Sequence, residues 1–206
     1  MRIVCLADTH SRHDRVRVPA GDLLLHAGDL TKLGSASEIT VFDQWLGTLP
    51  HRHKVIIAGN HDFLFEREPE RARALIKNAI YLEDRAITLD GLTIFGTPWQ
   101  PEFFHWAFNL PRGEPLARKW AAIPDGVDVL MTHGPPHGIQ DRVQDGELVG
   151  CADLRAALAR VRPRLHVFGH IHEAYGQQLQ DGTTFVNAAI CDLGYAPVHA
   201  PIVITL

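Results

Sequence analysis

Polar residues that can bind metal ions follow five apolar stretches of the chain, at the point where each stretch ends. Residues 55–58, for example, run directly into Gly59-Asn60-His61-Asp62. A short β-branched run closed by a glycine predicts a buried strand that ends in a tight turn. Ligand sites of α/β proteins form at such strand ends, so we expect the clusters to meet in one site. The other four are Asp8-Thr9-His10, Gly28-Asp29, Thr132-His133-Gly134 and Gly169-His170-Ile171-His172.

The donor atoms of these clusters suit a transition metal. Carboxylate, imidazole and amide oxygen without thiolate form a ligand set for manganese, iron or zinc. In an extended segment, residues two apart point to the same face, so Asp8 with His10 can bind one metal ion, and His170 with His172 another. A loop backbone can equally turn the members of a pair towards different metals. One such pair is usually an accident of the surface, whereas five clusters after apolar strands predict a metal site. The candidate residues are Asp8, His10, Asp29, Asn60, His61, His133, His170 and His172.

The stretches between the clusters predict the elements that must position them. Apolar runs predict strands at 3–7, 23–27, 54–58, 81–82, 86–89, 92–96, 127–131, 165–168, 184–188 and 202–206. Helical spacing predicts helices over 38–49, 70–78, 114–122 and 152–161, the first capped by Ser35 or Ser37. Two Asp-Gly turns indicate hairpins, so part of the sheet structure is expected to be antiparallel. Residues 97–111 have no clear period and are interpreted as either a substrate-side loop or a packed lid.

Length and charge narrow the class of protein. The chain has 206 residues, which suits a single domain over 1–206, and its composition is that of an ordinary globular protein. The formal net charge of -4 gives no general attraction to nucleic acid or to an anionic membrane. We therefore expect neither a membrane nor a stable nucleic-acid partner. A phosphate substrate would have to be held by the local charge of a metal.

Cysteine usage and apolar runs bear on the compartment. Cys5, Cys151 and Cys191 lack CxxC spacing, which argues against a disulfide framework or a cysteine zinc site and fits a reducing compartment. The first apolar run is too short for a signal peptide, and no run approaches the roughly 18 residues of a membrane span. The expectation is a cytoplasmic protein.

The ordered series of clusters resembles the calcineurin-like metallophosphoesterase superfamily. The residues that carry the resemblance are Asp8-x-His10, Gly28-Asp29, Gly59-Asn60-His61-Asp62, His133 and Gly169-His170-x-His172, so it spans residues 8–172. Finer segments are similar to one branch, the MPPED-type metallophosphodiesterases. These segments are 8–12, 24–29, 134–136, 149–151, 167–173 and the tail 186–203.

This resemblance implies a fold and a dinuclear metal site. The implied fold is a four-layer αββα sandwich, in which two mixed β-sheets are flanked by helices. Two metal ions are implied, with manganese as the first expectation and iron or zinc as alternatives. Asp8, His10 and His172 would hold one ion, Asn60, His133 and His170 would hold the other, and Asp29 would bridge them. A shared anionic ligand offsets the repulsion between two cations, which agrees with that role for Asp29.

The resemblance also assigns a catalytic role to His61. Two metal ions would lower the pKa of a bridging water, and the resulting hydroxide would attack phosphorus. His61 would then act as general acid on the leaving alkoxide, a gain of about 100- to 10,000-fold. Asp62 is expected either to orient His61 or to cap the following turn. Arg12 and Asn187 are weaker candidates for substrate binding.

The expected substrate is a small phosphodiester, with cyclic nucleotides as candidates. Protein serine/threonine phosphatases of the superfamily continue the second cluster as Gly-Asp-x-Val-Asp-Arg-Gly, whereas here Asp29 is followed by Leu30-Thr31-Lys32-Leu33-Gly34. A phosphomonoesterase or nucleotidase using the same metals is one alternative. A non-catalytic scaffold that binds a protein partner is another, and it is disfavoured because every expected ligand position is filled.

Overall fold

A computed structural model describes all 206 residues, which form thirteen strands and five α-helices. The strands are β1 (Arg2–Leu6), β2 (Leu23–Ala27), β3 (His53–Ile57), β4 (Ile80–Tyr81), β5 (Arg85–Leu89), β6 (Leu92–Thr97), β7 (Gln100–Pro101), β8 (Asn109–Leu110), β9 (Val129–Thr132), β10 (Leu165–Phe168), β11 (Gly176–Gln180), β12 (Thr183–Asn187) and β13 (Ile202–Thr205). The helices are α1 (Ala36–Thr48), α2 (Phe63–Arg67), α3 (Pro69–Leu75), α4 (Glu114–Ala121) and α5 (Ala152–Val161). None of these helices has the length and apolar character that a membrane crossing requires.

Most strands belong to two large mixed sheets. The first has the order β13-β1-β2-β3-β4, and only the edge strand β13 runs antiparallel to its neighbour. The second has the order β11-β12-β10-β9-β6-β5, with four parallel central strands and antiparallel edges. Parallel neighbours place their carboxyl ends at one edge of a sheet, which is where the polar clusters begin.

The two sheets pack face to face and are covered by helices on their outer sides. Alternate residues of β1 show this division: Ile3 and Cys5 pack between the sheets, and Val4 and Leu6 pack under the helices beside the first sheet. Helices α4 and α5 cover the other sheet. The four-layer αββα sandwich is therefore confirmed. Residues of the second sheet that pack between the sheets are Leu92, Ile94, Val129, Met131, Leu165, Val167 and Val186.

The predicted elements agree with the observed ones to within a few residues, apart from two regions. The serine that caps α1 is Ser35, which forms a reciprocal capping box with Glu38. The five-residue helix α2 was not predicted, because it follows the polar turn without an apolar period of its own. Within 97–111, the short strands β7 and β8 pair with each other and frame an aromatic loop.

Candidate metal centre

The five ligand clusters converge at the carboxyl ends of β1, β2, β3, β9 and β10. The first three of these strands belong to one sheet and the last two to the other. All eight candidate side chains lie at this junction, and all except His170 and His172 are buried. The site thus lies where the carboxyl edges of the two facing sheets meet.

Asp8, His10 and His172 form the first group of ligands. His172 Nε2 lies 3.6 Å from Asp8 Oδ1 and 3.2 Å from His10 Nε2. Two imidazole nitrogens at that distance face each other and can share one proton or one metal ion. Asp8 Oδ1 is buried and accepts no hydrogen bond, which is a costly state for a carboxylate oxygen unless a cation binds it.

Asn60, His133 and His170 form the second group. Asn60 Oδ1 lies 2.9 Å from His133 Nε2 and 2.8 Å from His170 Nδ1. The amide oxygen therefore stands between two ring nitrogens, so the three donor atoms lie close together. An amide oxygen with two imidazoles is a suitable partial shell for a transition metal.

Asp29 lies between the two groups. Its Oδ2 is 3.6 Å from His10 Nε2 in the first group and 3.5 Å from His133 Nε2 in the second. Its Oδ1 accepts a hydrogen bond of 2.8 Å from the backbone N–H of His61, which fixes the carboxylate plane. One oxygen of Asp29 is thus available to both groups.

Backbone carbonyls orient two of the histidines. His133 Nδ1 donates to the carbonyl of Ala27 at 2.9 Å, and His172 Nδ1 donates to the carbonyl of Asp192 at 2.9 Å. A histidine whose Nδ1 carries that proton presents Nε2 as the ligand atom. Both Nε2 atoms point into the site.

The turns that carry the ligands are strained and tightly packed. Asp8, His10, Asp29 and His170 all adopt positive φ, a region that non-glycine residues seldom occupy. At Gly59, an added Cβ would lie 2.3 Å from Asp29 Oδ1, so only glycine lets the two turns approach. The backbone of the site is shaped around its ligands at the cost of local strain.

Charge in the site is balanced by protons when no metal is bound. Burial opposes ionisation of Asp29, yet His133 and His10 hold the pKa of this carboxyl well below its ordinary value. Burial likewise opposes protonation of His133 and His172, but Asp29 raises the pKa of His133 and Asp8 raises the pKa of His172, each to about 9. Burial lowers the pKa of His170 to about 3, so this ring is neutral.

His61 lies at the edge of the two groups. Its Nδ1 donates to the carbonyl of Lys32 at 2.8 Å, which leaves Nε2 free. The ring packs on Trp106 with centroids 4.3 Å apart and against His10 at 4.6 Å. A nitrogen of His61 also lies within 4.8 Å of ligand atoms of His10 and Asp29. His61 is therefore in reach of a group bound at the centre.

Asp62 connects two ligand turns, and its carboxylate makes no hydrogen bond to the His61 ring. Its carboxylate accepts hydrogen bonds from the backbone N–H groups of Gly59 and Thr31, at 2.8 and 3.0 Å. It also accepts from the hydroxyl of Thr31 at 2.6 Å, and no side-chain cap to α2 is present. Burial, with a further contribution from Asp29, raises its pKa to about 6. Neither of the two expectations for Asp62 describes this role.

Two buried histidines behind the site support the turns through threonines. His166 Nε2 lies 2.9 Å from Thr132 Oγ1, and that hydroxyl donates to the carbonyl of Gly134 at 2.7 Å. Since the hydroxyl proton is used there, His166 must donate through Nε2. His26 makes the matching contact with Thr9 Oγ1 at 3.0 Å. Each threonine is next to a ligand, so these pairs hold the turns of His133 and of Asp8-x-His10.

The two weaker substrate candidates lie away from the cavity. Asn187 is fully buried, and its amide donates to the carbonyl of Ile171 at 2.8 Å and of Gln140 at 3.3 Å. It supports the loop of His170 and His172 from behind. Arg12 begins a short 3-10 turn after the first cluster and does not line the cavity over the ligands.

A cavity of about 390 Å³ opens over the ligands, and several of its residues were not singled out from sequence. Tyr195 packs edge-on against His10 at 4.7 Å, and Phe103 does so against His170 at 5.3 Å. Phe103 belongs to residues 97–111, for which a substrate-side loop was one of the two expectations, whereas Tyr195 lies in a loop that no sequence signal marked. The walls of the cavity include Glu102, Phe103, Arg112, Gly150, Glu173 and Tyr195.

The donor atoms fit a pair of metal ions. The fit is shown by the orphaned Asp8 Oδ1, the Nε2 atoms held by carbonyl acceptors, and the shared Asp29 Oδ2. Oxygen and nitrogen donors without thiolate suit a first-row metal and do not select one element.

Comparisons with known proteins agree with this geometry. Residues 1–174 match the family model described as calcineurin-like phosphoesterase. The human metallophosphoesterase domain-containing protein 1 is 47% identical over 230 aligned residues, covering 100% of this chain and 71% of that protein. The UPF0046 protein T07D4.2 of Caenorhabditis elegans is 42% identical, over 98% of this chain and 59% of its own length.

Solved structures agree in fold. The crystal structure of TT1561 of Thermus thermophilus superimposes with a TM-score of 0.62 at 13% identity, covering 90% of this chain and 88% of that one. This similarity concerns the fold alone. With the match over most of its length and a human relative at 47% identity, the chain belongs to the calcineurin-like phosphoesterase family.

Proposed function

We propose that this protein is a dinuclear metal-dependent phosphoesterase that hydrolyses small phosphodiesters. The observation that carries the proposal is the position of Asp29, whose Oδ2 lies 3.6 Å from a ligand nitrogen of one group and 3.5 Å from one of the other. Membership of the calcineurin-like phosphoesterase family supports the hydrolase class. Within that class, we propose that the protein prefers phosphodiesters to phosphomonoesters.

The residues assigned to the metals are those of the two groups. Asp8, His10 and His172 would hold one ion, Asn60, His133 and His170 would hold the other, and Asp29 would be shared. When bound, such ions activate water as a nucleophile and offset charge on the phosphoryl oxygens. Manganese is the first metal to test, with iron and zinc next, because availability decides among metals that one donor set accepts.

The protein's own contribution to the chemistry is the placement of a proton donor. His61 keeps its Nδ1 proton on the Lys32 carbonyl, so the opposite nitrogen faces the centre. A protonated Nε2 there can give its proton to the leaving-group oxygen as the ester bond breaks. Loss of that proton leaves a neutral ring that the same carbonyl still orients.

The size and walls of the cavity favour a small substrate. About 390 Å³ accommodates a small phosphodiester, including a cyclic one, and not a folded phosphoprotein segment. Arg112, a guanidinium in the walls, already donates to the carbonyls of Gly150 and Val149 at 2.8 and 2.7 Å. Two of its five N–H groups thus hold the loop of Val149 and Gly150. Cyclic nucleotides, whose diester closes on a single sugar, are candidate substrates.

Parallel assays on a diester and a monoester test this proposal. Protein stripped of metal and reloaded with manganese should cleave bis-p-nitrophenyl phosphate faster than p-nitrophenyl phosphate, and chelation should abolish both activities. The reverse preference would assign a phosphomonoesterase. Inactivity on both, with two metals bound, would favour a scaffold that binds a protein partner.

A further inference from the structure

Four aromatic side chains border the opening of the metal site and form what we call the aromatic rim: Phe103, Phe104, Trp106 and Tyr195. They line a second concave surface of about 620 Å³ next to the cavity over the ligands. Phe103 and Trp106 have nearly parallel rings, inclined by 14°, with centroids 6.4 Å apart. Tyr195 and Phe103 line both spaces, so the rim is continuous with the metal site.

Two of the four aromatic side chains of the rim are exposed to solvent, unlike the aromatic side chains of the core. Phe104 is 75% exposed and Phe103 is 39% exposed. Adjacent exposed aromatic side chains at the mouth of a polar site are typical of a binding surface, whereas a scattered single one is not. The rim cannot be explained by core packing.

The backbone holds these rings out at a cost in strain. Phe104 has φ of 47° and Tyr195 has φ of 59°, both in the left-handed region that bulky residues avoid. The side-chain amide of Asn109 donates to the carbonyls of Phe103 and Phe104, at 2.8 and 3.4 Å, and fixes the tip of the loop. Such strain persists where surrounding contacts enforce it, often at ligand sites.

His61 connects the rim to the chemistry. Its ring packs on Trp106 at 4.3 Å and lies 5.9 Å from the ring of Tyr195. A general acid must lie next to the oxygen that leaves, so the group attached to that oxygen extends past His61. The surface it meets there is the aromatic rim.

We propose that the aromatic rim binds the organic group attached to the leaving oxygen of the substrate, and that this group carries a planar aromatic ring without negative charge, such as the base of a nucleoside or an aryl ring. This inference rests on the proposed function. Stacking on aromatic side chains accepts any planar π-system, so the rim selects a class of leaving group and no single base. The carboxylates of Glu102 and Glu173 in the cavity walls disfavour an anionic one.

Two phosphonates that differ only in the organic group test the inference. Phenylphosphonate places a ring one bond from phosphorus, and methylphosphonate offers the same charge without a ring. On manganese-loaded protein, titration calorimetry should show phenylphosphonate binding at least about tenfold more tightly. Phe104→Ala should weaken phenylphosphonate about threefold to tenfold and leave methylphosphonate unchanged.

Leu179→Ala is the matched control, because Leu179 is 74% exposed and lies on the edge strand β11, outside the rim. It should change neither affinity, and all variants should bind the same amount of manganese. Equal affinities for the two phosphonates, or an equal loss on both in Phe104→Ala, would overturn the inference while the proposed function stands. Binding of neither phosphonate would overturn the inference, and the diester assay decides the proposed function separately.

Discussion

At the scale of single residues, the two oxygens of Asp29 have different tasks. Oδ1 accepts the N–H of His61 and fixes the carboxylate, and Oδ2 faces one imidazole of each ligand group. A side chain that is held by its backbone neighbours is ready to bind without reorganisation. One oxygen of Asp29 therefore fixes the orientation of the carboxylate, and the other is available as a ligand.

Removing the His61 imidazole tests its role as acid. His61→Ala keeps the backbone N–H that binds Asp29, so we expect both metals to remain bound. Turnover of alkyl esters should fall about 100- to 10,000-fold, because a poor leaving group needs a proton. Cleavage of p-nitrophenyl esters should fall much less. Steady-state rates on the two ester classes, together with the metal content of the variant, measure this effect. Normal cleavage of alkyl esters by His61→Ala would refute the role of His61 as general acid.

Metal binding should release protons. Without metal, Asp29 and Asp8 raise the pKa of His133 and His172 to about 9, so both rings are protonated at pH 7 to 8, and a bound metal requires them neutral. About two protons should leave per protein, and apparent affinity should rise with pH until about 9. Calorimetry in buffers of different ionisation enthalpy measures this number. If metal binding released no protons, His133 and His172 would already be neutral in the metal-free protein, which would contradict this prediction.

The ligand residues could be predicted from sequence because each follows an apolar strand in a short motif. The supporting residues could not. His26 lies in the apolar strand β2 and is buried, and its contact with Thr9 joins residues 17 positions apart. Such a contact depends on the pairing of β1 with β2, which no local pattern specifies.

At the scale of elements, the ligands lie in turns that follow the strands, and side chains of adjacent strands hold these turns in place. Thr132 spans the turn of His133 by joining His166 and the Gly134 carbonyl, and Thr9 performs a similar task between Asp8 and His10. Burial lowers the pKa of His166 and of His26 to about 3, so both stay neutral and act through a hydrogen bond. The two pairs sit on different sheets, one beside each ligand group.

These pairs predict selective effects on the two metals. Thr132→Val keeps shape and removes the hydroxyl, so it should weaken the metal held by His133 about 10- to 100-fold and spare the other. Thr9→Val should weaken the metal held by Asp8 and His10 instead. The serine variants at both positions keep the hydroxyl and serve as controls. Equal weakening of both metals in titrations of either variant would point to general loosening of the fold.

Elements with a strong period could be predicted, and irregular ones could not. Helix α1 has an apolar stripe and a capping box, and its observed start agrees with one of the two expected caps. Residues 97–111 have neither, because their aromatic side chains are divided between core and surface. Phe108 is buried while Phe104 is exposed, so no single face exists to produce a pattern.

At the scale of the whole molecule, the metal site joins the two sheets. The first group takes Asp8 and His10 from one sheet and His172 from the other, and the second takes Asn60 from one and His133 and His170 from the other. Metal ions bound here would link two sheets that are also joined by apolar packing and by hydrogen bonds such as that from His133 to the carbonyl of Ala27. Stability and metal binding are therefore expected to be coupled.

Chelation should lower the melting temperature. A ligand present at about 100 times its Kd stabilises the folded state by about 2.7 kcal/mol, which for a chain of this size is roughly 5–10 °C. Differential scanning calorimetry of manganese-loaded and chelated protein measures the difference. An unchanged melting temperature at saturating metal would contradict a site that spans both sheets.

The central claim is a dinuclear centre bridged by Asp29, and anomalous diffraction from manganese-soaked crystals tests it most directly. We expect two anomalous peaks, one beside Asp8, His10 and His172 and one beside Asn60, His133 and His170, with Asp29 coordinating both. Crystals of Asp29→Asn should lose both peaks or show both at low occupancy. A single peak in the wild type, or loss of only one in the variant, would contradict the bridged pair.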